Sequence, residues 1–328
     1  MSETLRVVCG DSFDPYRNLA VEQLLLESVG ETERILYLWQ NQRTVVIGRN
    51  QNAWRECRHD ALERDGGHLA RRLSGGGAVY HDLGNLNFTF LVRKENYDLD
   101  RQLEVVLRAC RSVGVRAGRA GRNDLLAEGR KFSGSAYYDS CGCAYHHGTL
   151  LLNVDMEALA RYLRPSAAKL AAKGVESVRA RVVNLAELAP GLTAERMRAA
   201  MVSAFEDVFG GRAATADPAA LPGERLEALT ARNRSFAWLF GRPLPFTCSC
   251  EQRFPWGELR IELQVENGVI AEARVWSDAM DWRFAAPMTA ALTGCRLTAA
   301  DIGGRLTGAD IAPDFCRDAL QMLRAQIL

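Results

Sequence analysis

Residues 71–90 read RRLSGGGAVYHDLGNLNFTF: two arginines, three consecutive glycines, then an alternating, strand-like run. Adjacent glycines cost backbone entropy, so a loop that keeps three of them needs positive φ or close approach of its backbone to something else. Two readings stay open here. One is a tight turn between strands; the other is a nest of N–H groups around an anion, with Arg71 and Arg72 beside it.

Outward from this loop the chain alternates. LRVVC (5–9), ILYLWQ (35–40), TVVIG (44–48), NLNFTFLV (85–92) and HGTLLLNV (147–154) read as strands. Helices are expected after Asp14-Pro15, where Asp caps and Pro fits the first turn, and over 53–64, 99–113, 156–163 and 224–240. Several strands follow one another without an intervening helix, which argues for a mixed sheet over a fully parallel one. The fold class is therefore α/β (α+β): a mixed β-sheet with flanking helices. Residues 164–184 mix helix formers with Gly174 and several basic side chains and read as a basic loop. GRPLPF (241–246) reads as a linker, and a small α+β unit follows, with a hairpin turning at Asn267-Gly268 and two helical runs. The expected division is 1–246 and 247–328.

Composition narrows the function. At 328 residues the chain exceeds what a single core usually supports. Its 41 basic and 40 acidic residues leave a net charge of +1, which offers no general attraction to nucleic acid or membrane. The N-terminal stretch MSETLRVVCGDSF lacks a basic-then-apolar signal and no run is long enough to span a bilayer, so a cytoplasmic protein is expected. Nine cysteines without a secretion signal argue for reduced thiols. The Cys141/Cys143 and Cys248/Cys250 pairs have shorter spacing than zinc sites usually use.

Neither a G-x-x-x-x-G-K-[ST] nor a strand-following G-x-G-x-x-G is present. Ser166-x-x-Lys169 lacks the companion motifs of penicillin-binding enzymes. Lysine is more telling. Only Lys94, Lys131, Lys169 and Lys173 occur in this arginine-rich chain; Lys94 reads as a solvated charge, and the other three are candidates for places where a compact ammonium is wanted. Arg71-Arg72 with the glycines, Lys131 in GRKFSGSAYY, and Lys169/Lys173 with Arg179/Arg181 form a basic constellation suited to a polyphosphate or an acyl phosphate.

RRLSGGGAVYHDLGNLNFTF, GRNDLL, GRKFSGSAYY, HHGTLLLN and KLAAKGVESVRARVVNL, in that order, together resemble the bacterial lipoate-protein ligase A family. The likeness runs from DSFDPYRNLAVE (11–22) into the C-terminal unit. It implies a biotin/lipoate-ligase-like catalytic domain, 1–246, and an accessory domain, 247–328. It implies two steps: lipoate and ATP, with Mg2+, give lipoyl-AMP and pyrophosphate, and the lipoyl group then passes to an acceptor lysine. The acceptors it implies are lipoyl domains of 2-oxoacid dehydrogenase E2 subunits and glycine cleavage H protein.

Carried over by motif, Arg72, Gly77, Ala78, Val79, Tyr80 and Lys131 would bind ATP. Lys131, Arg72, Gly75, Gly76 and His147 would border lipoate, with Lys131 catalytic. Asn123 and Asp124 would lie beside the nucleotide, Asp124 touching magnesium, and Lys173, Gly174 and Arg179 would belong to a loop over the adenylate. On this reading the glycines lie against acyl chain and phosphate and the arginines stand at the rim; for His147 a strand-start hydrogen bond and a role at the site both stay open. A transferase working only from lipoyl-AMP, an octanoyltransferase and a non-enzymatic nucleotide binder are the alternatives.

Overall fold

The computed structural model describes residues 4–121, 124–164, 182–240 and 248–327. They divide into two compact units. The first runs to Val46 and takes in Cys57–Ala70 and Val79–Leu239; the second consists of Ile47–Glu56, Arg71–Ala78 and the chain from Phe240 onward.

An eight-stranded mixed sheet organises the first unit, in the order β11–β1–β2–β6–β10–β9–β8–β7. The strands are β1 (Thr4–Cys9), β2 (Glu33–Trp39), β6 (Asn85–Arg93), β7 (Ala117–Ala120), β8 (Asp124–Ala127), β9 (Arg130–Ser140), β10 (Cys143–Leu151) and β11 (Ala213–Ala216). β11, β1 and β2 are parallel, and every neighbour from β2–β6 onward is antiparallel. A smaller sheet has the order β4–β3–β5, from β3 (Thr44–Ile47), β4 (His68–Arg71) and β5 (Val79–His81).

Helix α1 (Pro15–Ser28) starts as expected, with Asp14 accepting from Tyr16 N at 2.9 Å. Helices α2 (Leu99–Ser112) and α4 (Ala194–Phe209) cover one face of the large sheet; the unit also holds α3 (Met156–Tyr162), α5 (Gly223–Arg234) and short helical turns at His59–Arg64, Leu185–Leu188 and Phe236–Leu239. Strand β6 has two buried faces of different character. Its Leu86, Phe88 and Phe90 join the hydrophobic cluster under α2 and α4, while Asn85, Asn87 and Thr89 point to the opposite face and are equally buried. Alternation usually means one wet face. Here it means a buried polar one.

In the second unit β12 (Cys248–Phe254), β13 (Gly257–Glu266) and β14 (Val269–Ser277) form an antiparallel sheet. Asn267 at φ 51° and Gly268 at φ 75° make the tight turn that the Asn-Gly pair announces. Three helices close the chain, not two: α6 (Ala285–Leu292), α7 (Ala299–Thr307) and α8 (Pro313–Gln326). Gly294 at φ 79° ends the first, Thr298 caps the second, and Pro313 opens the third. Strands β7, β8, β9 and β11 and helix α4 are further elements without a sequence expectation.

Candidate active site

Lys131 stands on a hairpin built to aim it. β8 and β9 are joined through Glu128 at φ 49° and Gly129 at φ 75°, with a bulge between Leu125 and Leu126. The backbone of Lys131 is held on a second side, where its carbonyl accepts from Val183 N at 2.9 Å. Its side chain crosses Gly134, the residue paired with Asp124, and its Nζ lies 2.7 Å from Asp124 Oδ1. A Cβ on Gly134 would stand 3.0 Å from that Nζ. The glycine of GRKFSGSA therefore makes room for the lysine, and the two motifs GRNDLL and GRKFSGSA meet as an ion pair. Both side chains remain about 40 % exposed, Lys131 at 38% and Asp124 at 43%, open to an incoming anion or cation.

His147 is placed differently from its expectation. It lies inside β10 and not at a strand start, because β10 begins at Cys143. Its Nδ1 faces Glu22 Oε1 at 2.8 Å, and the same oxygen accepts from Thr89 Oγ1 at 2.7 Å, which in turn accepts from Trp39 Nε1 at 3.1 Å. Opposite a carboxylate, which only accepts, Nδ1 carries the proton. All four residues are buried on the polar face of β2, β6 and β10. Glu22, Thr89 and Trp39 had no place among the sequence candidates. The available signal was Asn18 and Glu22, four residues apart on the buried face of α1. The neighbouring His146 faces the other way, between Phe88 and Phe90, and burial pushes its imidazole down to about 3.

The glycine loop belongs to the second unit. Arg72 donates to the Gly75 and Gly77 carbonyls at 2.7 Å and to Ser74 Oγ at 3.1 Å. Arg71 donates to the carbonyls of Gly48, Arg49 and Gln51. Both arginines are buried, so they brace the loop from within and do not stand at its rim. Gly75 and Gly76 are buried too, whereas Gly77, Ala78 and Val79 are half-exposed. A Cβ on Gly75 would come within 2.4 Å of the carbonyl oxygens of Ala279 and Met280. The close approach that the glycines allow is thus made first to the chain's own backbone, a correction to the picture of a loop lying only on ligand.

Val79 and Tyr80 continue into β5 in the first unit. The Tyr80 ring packs on Tyr162 at 5.6 Å and borders an open recess of about 860 Å³ that also meets Arg43, Asp65, Asp82, Asp155 and Arg161. The structure brings together Lys131 with Asp124, and Arg72 with the glycines; His147 joins Glu22 instead. Asn123, Lys173, Gly174, Arg179, most of the basic loop and the expected linker lie outside the described residues. The paired cysteines have structural places. Cys141, at φ 50°, and Gly142, at φ 75°, form the β9–β10 turn, Cys143 Sγ accepts from Arg93 at 3.3 Å, and burial pushes Cys250 up to about 12. His81 lies in β5 with its Nδ1 3.2 Å from Asn41 Nδ2.

The mixed sheet with flanking helices and the smaller three-stranded unit with its helices are those of the biotin/lipoate ligase superfamily. The chain belongs to the family described as Lipoyl protein ligase A/B catalytic domain, matched over residues 14–206. Residues 244–324 match the Bacterial lipoate protein ligase C-terminus, so both parts are those of a lipoate-protein ligase. The P. falciparum LipL1 structure in complex with lipoate is 26% identical, covers 96% of this chain and 98% of its own, and superposes with a TM-score of 0.84. The bipartite lipoate protein ligase of Thermoplasma acidophilum, described with its E2 lipoyl domain, is 25% identical over 76% of this chain and 100% of its own, with a TM-score of 0.64. Lipoate-protein ligase A bound with ATP is 25% identical over 74% and 99%, with a TM-score of 0.61.

Proposed function

We propose that this ligase activates lipoate with ATP and passes it to a protein lysine in two steps. In the first, a lipoate carboxylate oxygen bonds to the α-phosphorus of ATP and the bond to pyrophosphate breaks. In the second, the amine of an acceptor lysine attacks the acyl carbon, AMP leaves, and the amine proton is lost to solvent. The observation that carries the reading is Lys131 Nζ, held across Gly134 at 2.7 Å from Asp124.

Step one drives an anionic carboxylate against an anionic phosphate. An ammonium about 4 Å away offsets that repulsion by on the order of 4 kcal/mol at an effective dielectric near 20. Lys131 is suited to touch both reactants and to follow charge as it moves to pyrophosphate. Arg72 fixes the carbonyls of Gly75 and Gly77, leaving the half-exposed Gly77, Ala78 and Val79, with the buried Tyr80 that follows them, to border the nucleotide. His147, oriented by Glu22, borders the acyl group. Asn123 is proposed beside the nucleotide, and Lys173, Gly174 and Arg179 over the adenylate.

Magnesium fits Asp124 only in company with phosphate oxygens, since among the described residues no group of three His, Cys, Asp or Glu could hold a metal. Bound there it would neutralise phosphate charge. The proposed acceptors are lipoyl domains of 2-oxoacid dehydrogenase E2 subunits and glycine cleavage H protein. No described helix is long and apolar enough to cross a membrane.

The test is lipoate-dependent exchange of labelled pyrophosphate into ATP, followed by mass gain on an added lipoyl domain. Exchange with no mass gain, or transfer only from supplied lipoyl-AMP, would replace this reading; the second result would make the protein a transferase. Lys131→Ala is expected to lower exchange by about 10²- to 10³-fold, the usual cost of one preorganised electrostatic group. Lys131→Arg should not restore it, because a planar fork cannot occupy the ammonium's position.

A further inference from the structure

The glycine loop and residues 277–282 of the same unit are tied together in several ways. Gly76 N–H donates to the Ala279 carbonyl at 2.8 Å. Gly75 lies so close to the Ala279 and Met280 carbonyls that no Cβ would fit, and a Cβ on Gly76, at φ 89°, would stand 2.9 Å from Met280 Sδ. A third strip, residues 48–50, touches both. Gly48 has room for no Cβ against Gly76 O, which would be 2.2 Å away, and Arg49 N donates to Ser74 O at 2.9 Å. On its other side the strip meets the C-terminal segment: Ser277 N donates to Asn50 O at 2.9 Å, Asn50 Nδ2 donates to Trp282 O at 2.7 Å, and the Arg49 guanidinium lies 5.5 Å from the Trp282 ring centroid.

We propose that Asn50, Ala279, Met280 and Trp282 are positioning residues for nucleotide binding, holding the glycine loop in one conformation from behind. The inference rests on the proposed role of the loop's exposed arm, Gly77 to Val79. Three glycines give a loop more conformations than any other composition would, and a phosphate site gains affinity when that freedom is removed before the ligand arrives. Arg71 and Arg72 restrain the loop from inside. The backbone of Ala279–Met280 restrains Gly75 and Gly76 from outside, and Trp282, held by Asn50 and Arg49, fixes that backbone in turn. Because Gly76 N–H is taken by Ala279, contact with phosphate falls to Gly77 and Ala78.

The test uses the full chain with Trp282→Ala, Asn50→Ala and the conservative Trp282→Phe, which keeps a ring for Arg49. Two readouts are compared: amide hydrogen exchange of residues 71–78 without ligand, and the KM values for ATP and lipoate in pyrophosphate exchange. The two alanine variants are expected to speed hydrogen exchange at Gly76 and to raise the ATP KM about tenfold, the size of one lost hydrogen bond or cation–π contact, with the lipoate KM within about twofold. Trp282→Phe should stay near wild type. Unchanged protection of 71–78 in folded variants, or an equal rise in both KM values, would overturn the proposal. Should Trp282→Ala fail to fold, Asn50→Ala, which deletes a single donor, carries both readouts. A wild-type protein without lipoate-dependent exchange would sink the proposed function, and the hydrogen-exchange comparison would still decide whether 277–282 holds the loop.

Discussion

A single missing methyl group at position 134 sets where the Lys131 ammonium rests. In Gly134→Ala the new Cβ would meet Lys131 Nζ at 3.0 Å and Cε at 3.1 Å, both at the far end of a flexible side chain. The lysine should swing aside at little cost to folding, so stability is expected to change by less than about 1 kcal/mol while pyrophosphate exchange falls about tenfold or more. Equal losses in thermal midpoint and rate would refute that separation. His146 makes the opposite kind of prediction, about stability alone. Burial, then the charges of His147 and Arg119, hold its imidazole down at about 3 from 6.5. Below pH 6.5 the unfolded chain takes up a proton there that the folded chain refuses until about pH 3. This contribution is therefore complete above 6.5 and shrinks as pH falls toward 3, by up to a few kcal/mol. Denaturant titrations of His146→Phe should show a shallower loss of stability across that window than wild type.

At the scale of elements, three hairpin turns share a pair of left-handed residues: Glu128-Gly129, Cys141-Gly142 and Asn267-Gly268. Only the last carries the Asn that sequence reading recognises, and it was legible for that reason. Cys141→Asn should keep or slightly raise the thermal midpoint, because Asn tolerates the left-handed region better than Cys; a drop would mean that the thiol matters to the turn. Serine at Cys141, Cys143, Cys248 or Cys250 should leave ligation within a few-fold, and a trapped lipoyl thioester on the wild type would overturn that. The strands β7, β8 and β9 escaped notice because β7 and β8 are only four residues long, glycine and serine dilute the pattern of β9, and the β8–β9 register depends on a bulge. Helix α4 was readable from Thr193, which caps it, and Gly210 at φ 73°, which ends it, yet it lies beyond the motifs that drew attention. Motif reading pointed to Lys131, Asp124 and the loop as candidates. It could not see that Asn87 and Thr89 face inward, because alternation reports two faces without saying which is wet.

At the scale of the molecule, the second unit is assembled from three separated stretches of chain. A chain ending at residue 246 would lack Ala279 and Trp282, the partners of Gly76 and Asn50. Such a truncation is expected to lose most lipoyl-AMP synthesis while still transferring from lipoyl-AMP supplied ready-made. Measuring both rates decides it, since equal loss would make residues 247–328 structural only, and full adenylation would remove them from activation altogether. The same discontinuity also has a schedule. Gly75 and Gly76 leave the ribosome about 200 residues before Ala279 and Met280, which at roughly 5–20 residues per second is a delay of about 10–40 s. Throughout that interval the large sheet can form, but the glycine loop waits without its backing. On the proposed reading, a nascent chain cannot hold ATP as the finished enzyme would before Ala279 and Met280 have emerged.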